Sequence, residues 1–291
     1  MRISKESREK IGIIKAAYEK EGRLTVRRIY YILLSRGFFD LTKSDNPEYA
    51  HHIYQNLSNR LVDWREAGLV DPDIIVDRKS ELIRRPTHDN FQEAFDELLE
   101  TYSRNSMLDQ KRHIEVWIEK DTMRNTFIED CYFNDVPLIV GKGWTSYTFK
   151  HEAVKRFKKY YPKPVMILAF GDFDMEGEHI PEVIKKFILD KIPDLDFELK
   201  KVLLTPADYN RLSEFAIRFK PTRKQLEHFY AREFIDKHGP IKLEVEAMPF
   251  DETKRRFRQA LFKQIDKRVV DDVENTSEGD KRDWLENHYK K

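Results

Sequence analysis

The clearest hydrophobic pattern in this chain lies between residues 114 and 204, where short apolar runs alternate with longer amphipathic stretches. The runs Ile114–Ile118, Val136–Val140 and Val165–Phe170 have the length and composition of buried strands. A fourth strand is expected to end near Leu204. Strands that alternate with amphipathic helices predict a parallel sheet with crossover helices, here an α/β domain with a mostly parallel four-stranded sheet.

In the amino-terminal third the apolar residues recur every three or four positions, which is the spacing of an α-helix. Thr25 is a suitable N-cap, and the next helix carries its apolar residues on one stripe. A second helix over residues 49–66 has a similar stripe, and Leu69–Val76 is interpreted as a β wing. Helix, helix and wing predict a winged helix-turn-helix, with a protein-interaction domain as the alternative. The two stripes are Val26, Ile29, Tyr30, Leu33 and Leu34, then Ile53, Leu57, Leu61 and Trp64.

These patterns predict an α+β protein of two domains. We assign residues 1–86 to the winged-helix domain and 87–110 to a linker with an amphipathic helix from Phe91 to about Met107. Residues 111–268 form the α/β domain with carboxyl-terminal additions. Residues 269–291 are polar and charged, which predicts a frayed helix or tail anchored by Trp284.

Composition narrows the classes of function only slightly. Charged residues make up 36% of the 291, yet the formal net charge is +1, so the overall charge does not indicate a nucleic-acid-binding protein. No apolar run approaches the ~20 residues that a membrane-spanning helix requires, and no signal peptide is expected. Cys131 is the single cysteine, which excludes an internal disulfide and any zinc site built from several cysteines.

Acidic residues follow two of the predicted strands directly. Glu119 comes after Ile118, and Asp172 and Asp174 come after Phe170. The carboxyl ends of parallel strands share one edge of a sheet, and residues two apart in extended chain point the same way. Paired carboxylates of this kind suit Mg²⁺. The alternative is an ordinary solvated acidic loop.

A tyrosine and an arginine form the second candidate site. Tyr31 lies off the apolar stripe of its helix, and Arg27 lies one turn before it on the same side. The sequence therefore predicts an exposed phenol beside a cation that favours phenolate and can hold phosphate oxygens. The alternative is a surface tyrosine stacked on arginine.

Three segments together resemble a known family. Glu119 with Asp172-Phe173-Asp174-x-x-Gly177 resembles the Toprim domain of topoisomerases and primases. Thr25-x-Arg27-x-Ile29-Tyr30-Tyr31 resembles the catalytic-tyrosine motif of the topoisomerase VI A subunit and the meiotic double-strand-break transesterase. Lys242–Met248 resembles the late Lys-x-Glu-Ile-x-Ala-Leu element of the same family, and the order of the three segments also agrees. Met175-Glu176 departs from the family, which commonly has proline there.

The resemblance implies a DNA-cleaving activity of the type IIB topoisomerase A kind. It makes Tyr31 the nucleophile, Arg27 its partner, and Glu119 both a metal ligand and a general acid/base. Asp172 and Asp174 would complete an Mg²⁺ site. It also implies 5′-phosphotyrosyl ends and a homodimer in which the tyrosine of one copy meets the metal ions of the other.

Double-stranded DNA is the expected partner. The candidate contacts are polar or basic side chains on the helices, the wing region and the loop after the second strand. They are Arg28, Gln55, Asn56, Asn59, Arg60, Arg78, Lys79 and Lys142. The chain contains no Gly-rich nucleotide loop, so an ATPase B-type subunit would be a separate chain, and cleavage without ATP is expected. The resemblance to stand-alone A-subunit homologues implies a nucleoid-associated cytoplasmic protein of bacterial, archaeal or mobile-element origin.

Two other functions remain open at this point. One is a Toprim hydrolase, in which metal-bound water attacks and Tyr31 is only structural. The other is a non-catalytic DNA-binding protein, a regulator or scaffold, that keeps a vestigial site.

Overall fold

The computed structural model describes residues 3–39, 47–75, 87–141, 144 and 146–288. Its described part is an α+β structure with one four-stranded, all-parallel sheet, as the sequence predicts. The sequence-predicted contacts Arg78, Lys79 and Lys142 lie outside the described residues.

The described residues of the amino-terminal part contain the helices α1 (Lys5–Glu21), α2 (Val26–Ser35) and α3 (Pro47–Glu66). Thr25 caps α2 as predicted, because its hydroxyl accepts a hydrogen bond from the Arg28 N–H at 3.1 Å. The helices bury their apolar stripes against each other. The predicted residues Leu57, Leu61 and Trp64 are buried in this core, and Ile53 is half-buried.

The predicted β wing is wrong as far as Ile75. Residues 69–75 form a turn and a short 3₁₀-helix, Pro72–Ile74, and then a single parallel bridge from Ile75 to Leu24. Pro72 has no N–H to donate to a strand, and the Asp71 side chain accepts the Asp73 N–H at 2.9 Å, which favours a turn. The rest of the expected wing lies outside the described residues, so the winged helix stays a prediction.

The linker helix α4 (Phe91–Thr101) is shorter than predicted. Asn90 caps its start, and it ends at Thr101 rather than near Met107. After α4 an irregular segment with a short 3₁₀-helix, Ser106–Leu108, leads into the sheet.

The sheet consists of β1 (His113–Ile118), β2 (Leu138–Val140), β3 (Val165–Phe170) and β4 (Phe197–Leu203). The strand order is β2-β1-β3-β4, so β1 and β3 are central and buried on both faces. The crossover helices are α5 (Arg124–Tyr132), α6 (Tyr147–Tyr160) and α7 (Met175–Lys191). Cys131 is buried on α5, and its burial raises the pKa of the thiol to about 12.

The carboxyl-terminal third covers one face of the sheet. Its described elements are five short helices and strands, then two longer helices. They are α8 (Pro206–Leu212), β5 (Ile217–Arg218), α9 (Arg223–Leu226), α10 (Phe229–His238), β6 (Ile241–Lys242), α11 (Phe250–Phe262) and α12 (Lys267–His288). The segment expected to be a frayed helix or tail belongs, as far as His288, to the regular helix α12. Trp284 anchors it as predicted, since its ring lies 5.1 Å from that of Phe95 on α4. None of the helices in the described ranges combines the length and apolar character that crossing a membrane requires.

Glu115 is a fully buried charge on β1. Arg156 donates to both of its oxygens, at 2.8 and 3.0 Å, while Trp117 Nε1 donates at 2.7 Å and His113 Nε2 lies 3.0 Å away. Burial opposes ionisation, but the bonds with His113 and Arg156 outweigh it and hold the pKa of Glu115 below its ordinary value. The cluster ties β1 to α6.

Replacing Glu115 by alanine should lower the free energy of unfolding by about 1–3 kcal/mol, because the half-buried Arg156 and the buried Trp117 Nε1 lose the carboxylate to which they donate. The midpoint of urea unfolding measures the effect. Glu152→Ala is the matched control, since Glu152 lies on the same helix as Arg156 and forms an exposed pair with Lys155. Equal midpoints for the two variants would show that the buried cluster adds nothing to stability.

Candidate functional site

The carboxyl ends of β1 and β3 bring Glu119 and Asp172 together, as the sequence predicts. Ile118 pairs with Phe170 in register, and the Asp172 N–H donates to Glu119 Oε2 at 3.1 Å. Gly171 makes this approach possible, because a Cβ at that position would lie 2.8 Å from Glu119 Oε2. The predicted shared edge is therefore confirmed for these two carboxylates.

Asp174 lies at the same edge and also caps α7. Its Oδ1 accepts the Gly177 N–H at 2.7 Å, which satisfies one of the free donors at the start of the helix. Its Oδ2 lies 3.6 Å from Lys242 Nζ. One oxygen of Asp174 thus serves the fold and the other faces the site.

Two lysines neutralise Asp172. Lys120 Nζ and Lys242 Nζ both lie 2.9 Å from Asp172 Oδ2, and the Val245 N–H donates to Oδ1 at 2.9 Å. Burial opposes the charge of Asp172, but the two ammonium groups and the Val245 N–H outweigh it and lower the pKa of Asp172. Asp172 is therefore ionised and held by protein groups on both oxygens.

The pKa of Glu119 is raised, whereas that of Asp172 is lowered. Burial and the neighbouring Asp172 carboxylate raise the pKa of Glu119, and Asp174 adds to the effect. A carboxyl with a raised pKa beside two other carboxyls favours a proton or another cation. A divalent ion at this edge would supply that positive charge.

The donor chemistry at the edge fits Mg²⁺, since Glu119, Asp172 and Asp174 offer the carboxylate oxygens that this ion prefers. Among the described residues, however, no group of three or more His, Cys, Asp or Glu side chains surrounds one point as a metal site would. Lys120 and Lys242 occupy the outer oxygen of Asp172. An ion bound there must displace at least one ammonium group.

Tyr31 is buried, which contradicts the predicted exposed phenol. Its side chain is 4% exposed, and its hydroxyl donates to Glu244 Oε2 at 3.0 Å. The face of α2 that lies off the apolar stripe packs against the segment around Val245–Ala247, so both faces of the helix are covered. Burial and the Glu244 charge raise the pKa of Tyr31 well above its ordinary value, and Arg27 lowers it by less. In this conformation the neutral phenol is favoured, not the phenolate.

Arg27 lies beside Tyr31, but its main partner is also Glu244. Arg27 Nη1 is 3.1 Å from Glu244 Oε2, and the guanidinium lies 4.7 Å from the centre of the Tyr54 ring. Burial opposes the charge of Arg27, yet the Glu244 carboxylate together with Tyr31, Tyr54 and Glu246 outweighs it and raises the pKa of the guanidinium. Arg27 and Tyr31 therefore converge on one carboxylate oxygen.

Glu244 and Lys120 connect the tyrosine to the acidic edge. Lys120 Nζ lies 3.6 Å from Glu244 Oε1 and 3.1 Å from Glu246 Oε2, in addition to its contact with Asp172. These carboxylates raise the pKa of Lys120 in spite of its burial. We call Tyr31, Arg27, Glu244, Lys120 and Asp172 the polar relay.

Sequence reasoning assigned no role to Glu244, Glu246 or Lys120. Their positions in the sequence were the available indication: Lys120 directly follows Glu119, and the two glutamates belong to the segment Lys242–Met248. Their contacts depend on pairings across more than 100 residues of sequence.

Comparisons of this chain with family models, with curated proteins and with solved structures found no match. The resemblance to the topoisomerase VI A family therefore rests on the three quoted segments alone. The geometry of the polar relay must carry the functional inference.

The predicted DNA-contacting side chains on α3 are exposed to solvent, as such contacts require. All four predicted side chains on this helix are exposed, while Leu57 and Leu61 are buried: Gln55, Asn56, Asn59 and Arg60. DNA binding by these side chains stays a prediction.

Arg28, a predicted DNA contact, forms its hydrogen bonds within the chain. Its guanidinium donates to Glu21 at 2.7 and 2.9 Å, and to the carbonyl oxygens of Glu246 at 2.9 Å and Met248 at 3.2 Å. It ties the helices to the α/β domain. A DNA contact by Arg28 would require these bonds to break.

Proposed function

We propose that this chain cleaves double-stranded DNA by transesterification, with Tyr31 as the nucleophile and Mg²⁺ held by Glu119, Asp172 and Asp174. One observation carries the proposal: the polar relay joins the Tyr31 hydroxyl to Asp172 through Glu244 and Lys120. Two sites that were recognised separately in the sequence thus meet at the junction of the two domains.

In the proposed reaction, Tyr31 Oη attacks a backbone phosphorus and forms a phosphotyrosyl ester. Arg27 is placed to hold the phosphate oxygens, because it already lies beside the tyrosine. Bound Mg²⁺ would neutralise charge that develops on those oxygens. The ester retains the energy of the broken bond, so the step is reversible and needs no ATP.

Attack requires the junction to open. A groove of about 530 Å³ between α1, α2 and the segment before α11 reaches Tyr31, with Ile32, Arg36 and Ala247 also lining it. Since the Tyr31 side chain is 4% exposed, a phosphate can reach the hydroxyl only after the groove widens. Contacts between residues that line the groove include the bond of Arg28 to Glu246 and an ion pair between Lys20 and Asp251.

The family resemblance implies that two copies share each site. The polar relay lies within one chain, so we propose that each chain carries a complete site and that a homodimer places two sites on the two DNA strands. We propose the four exposed side chains of α3 named above as the DNA contact, and association with the nucleoid as the setting.

The burial of Tyr31 specifically favours one second candidate. In a Toprim hydrolase, metal-bound water would attack and Tyr31 would only hold Glu244 in place. The raised pKa of Tyr31 and its bond to Glu244 are the properties of such a structural tyrosine.

The test is incubation of the protein with supercoiled plasmid and Mg²⁺, a denaturing quench, and electrophoresis with and without protease. We expect nicked or linear DNA to enter the gel only after proteolysis, and a chelator to prevent cleavage. Cut DNA that enters without protease would support the hydrolase. DNA that stays supercoiled under every condition would contradict both enzyme proposals.

A further inference from the structure

We propose that Glu244 is the general base of the cleavage reaction and takes the proton from the Tyr31 hydroxyl. This inference rests on the proposed function and adds a catalytic residue to it. The hydroxyl already donates to Glu244 Oε2 at 3.0 Å, which is the reach that proton transfer needs.

Glu244 is fixed in this position from two sides. Arg27 Nη1 lies 3.1 Å from the same oxygen that accepts the Tyr31 proton, and Lys120 Nζ lies 3.6 Å from the other oxygen. The side chain of Glu244 is nearly buried. A buried carboxylate fixed in this way keeps one oxygen aimed at the phenol.

The other buried carboxylates nearby have different partners. Glu246 accepts Thr122 Oγ1 at 2.9 Å on one oxygen and lies 3.1 Å from Lys120 Nζ on the other. Asp172 is held by Val245 N–H and by two lysines. Glu244 is the carboxylate in this cluster that meets the tyrosine hydroxyl.

In the step that we infer, the Tyr31 O–H bond breaks and its proton passes to Glu244 Oε2. The electron pair left on Oη forms the bond to phosphorus. The bond from phosphorus to the 3′ oxygen breaks, and that oxygen keeps the electron pair and takes a proton from water. In resealing, the 3′ hydroxyl gives its proton back to the hydroxide left in the forward step and its oxygen attacks phosphorus. The bond from phosphorus to Tyr31 Oη breaks, and Glu244 returns its proton to the departing phenolate.

The test is the rate of covalent adduct formation by full-length Glu244→Gln on duplex DNA with Mg²⁺. Glutamine keeps the shape and an oxygen that can accept the Tyr31 hydrogen bond, but it is not a base. We expect a rate loss on the order of 10²- to 10⁴-fold. Glu246→Gln is the matched control for the loss of one buried charge, and we expect it to lose less than Glu244→Gln. Thermal unfolding of each variant checks that it is folded.

A chemical rescue separates a base from a positioning residue. Incorporation of 3,5-difluorotyrosine at position 31 makes the phenol more acidic, so it needs a base less. We expect this substitution to restore at least part of the rate of Glu244→Gln and to change the wild-type rate far less. A merely structural role of Glu244 would give no such selective rescue.

The outcomes distinguish the two proposals. A wild-type protein that forms no adduct would overturn the proposed function and this inference together. If the wild type forms the adduct and Glu244→Gln forms it equally fast, only the role of Glu244 is overturned. A slow Glu244→Gln that the acidic tyrosine does not rescue also overturns the role as a base.

Discussion

Replacing Tyr31 by phenylalanine should abolish every covalent adduct between this protein and DNA. Phenylalanine fills nearly the same buried volume but has no oxygen to attack phosphorus. The substitution removes the bond to Glu244, whose carboxylate keeps Arg27 and Lys120 as partners. We therefore expect the free energy of unfolding to fall by only about 1.5–3 kcal/mol, the contribution of a hydrogen bond to a charged group. Adducts are measured by protease-dependent migration of end-labelled DNA.

Tyr30→Phe is the matched control for that experiment. Tyr30 is the neighbouring tyrosine on the same helix, also buried, and its ring packs at 5.3 Å against that of Tyr31 and stacks on Phe39. We expect Tyr30→Phe to form adducts at the wild-type level. Adducts that survive Tyr31→Phe and vanish in Tyr30→Phe would identify Tyr30, not Tyr31, as the nucleophile. Cleavage that survives Tyr31→Phe without any adduct would identify the hydrolase.

The sheet and its acidic edge could be predicted from local sequence because each signal is contained in a few residues. The central strands β1 and β3 are buried on both faces, so they read as continuous apolar runs, and Glu119 and Asp172 follow them at once. Parallel pairing then brings those two side chains to one edge whatever the rest of the chain does. The cap at Thr25 is equally local.

The burial of Tyr31 could not be predicted in this way. A stripe on one helix shows only the face that is apolar, and the partner that covers the other face, Glu244, is 213 residues further on. The same reason explains Arg28, whose partners Glu246 and Met248 are equally distant. An arginine on a helix surface looks like a phosphate contact until the domain that packs on it is known.

The predictions of the wing and the tail rest on composition, which indicates local structure less reliably than the strand and cap patterns do. The apolar residues of Leu69–Val76 predict a strand, but Pro72 and the cap by Asp71 favour a turn in the described part, as far as Ile75. The charged carboxyl terminus suggested fraying, yet α12 gains fixed contacts from Ser277 and Asp280, which bond to Arg104. Average hydropathy does not record specific contacts of this kind.

Mixing two inactive variants should fail to restore cleavage. Tyr31→Phe lacks the nucleophile, and Glu119→Gln lacks an acidic ligand while keeping an oxygen that can accept the Asp172 N–H. Because the polar relay joins Tyr31 to the acidic edge within one chain, every chain in a mixed dimer would carry one damaged site. If two copies instead shared each site, the mixed dimer would contain one intact site and would nick supercoiled plasmid.

The reciprocal mixture makes the result decisive. Wild type mixed with the double variant Tyr31→Phe, Glu119→Gln should keep nicking if each chain has its own site, because the wild-type chain is complete. With shared sites the same mixed dimer would be inactive, since each site would contain one damaged half. Differently tagged chains, purified through both tags in sequence, ensure that only mixed dimers are assayed. If the first mixture nicks DNA and the second does not, the single-chain site is overturned. That result would support the shared sites that the family resemblance implies. The opposite pair of results requires the Tyr31 hydroxyl to react beside the carboxylates of its own chain.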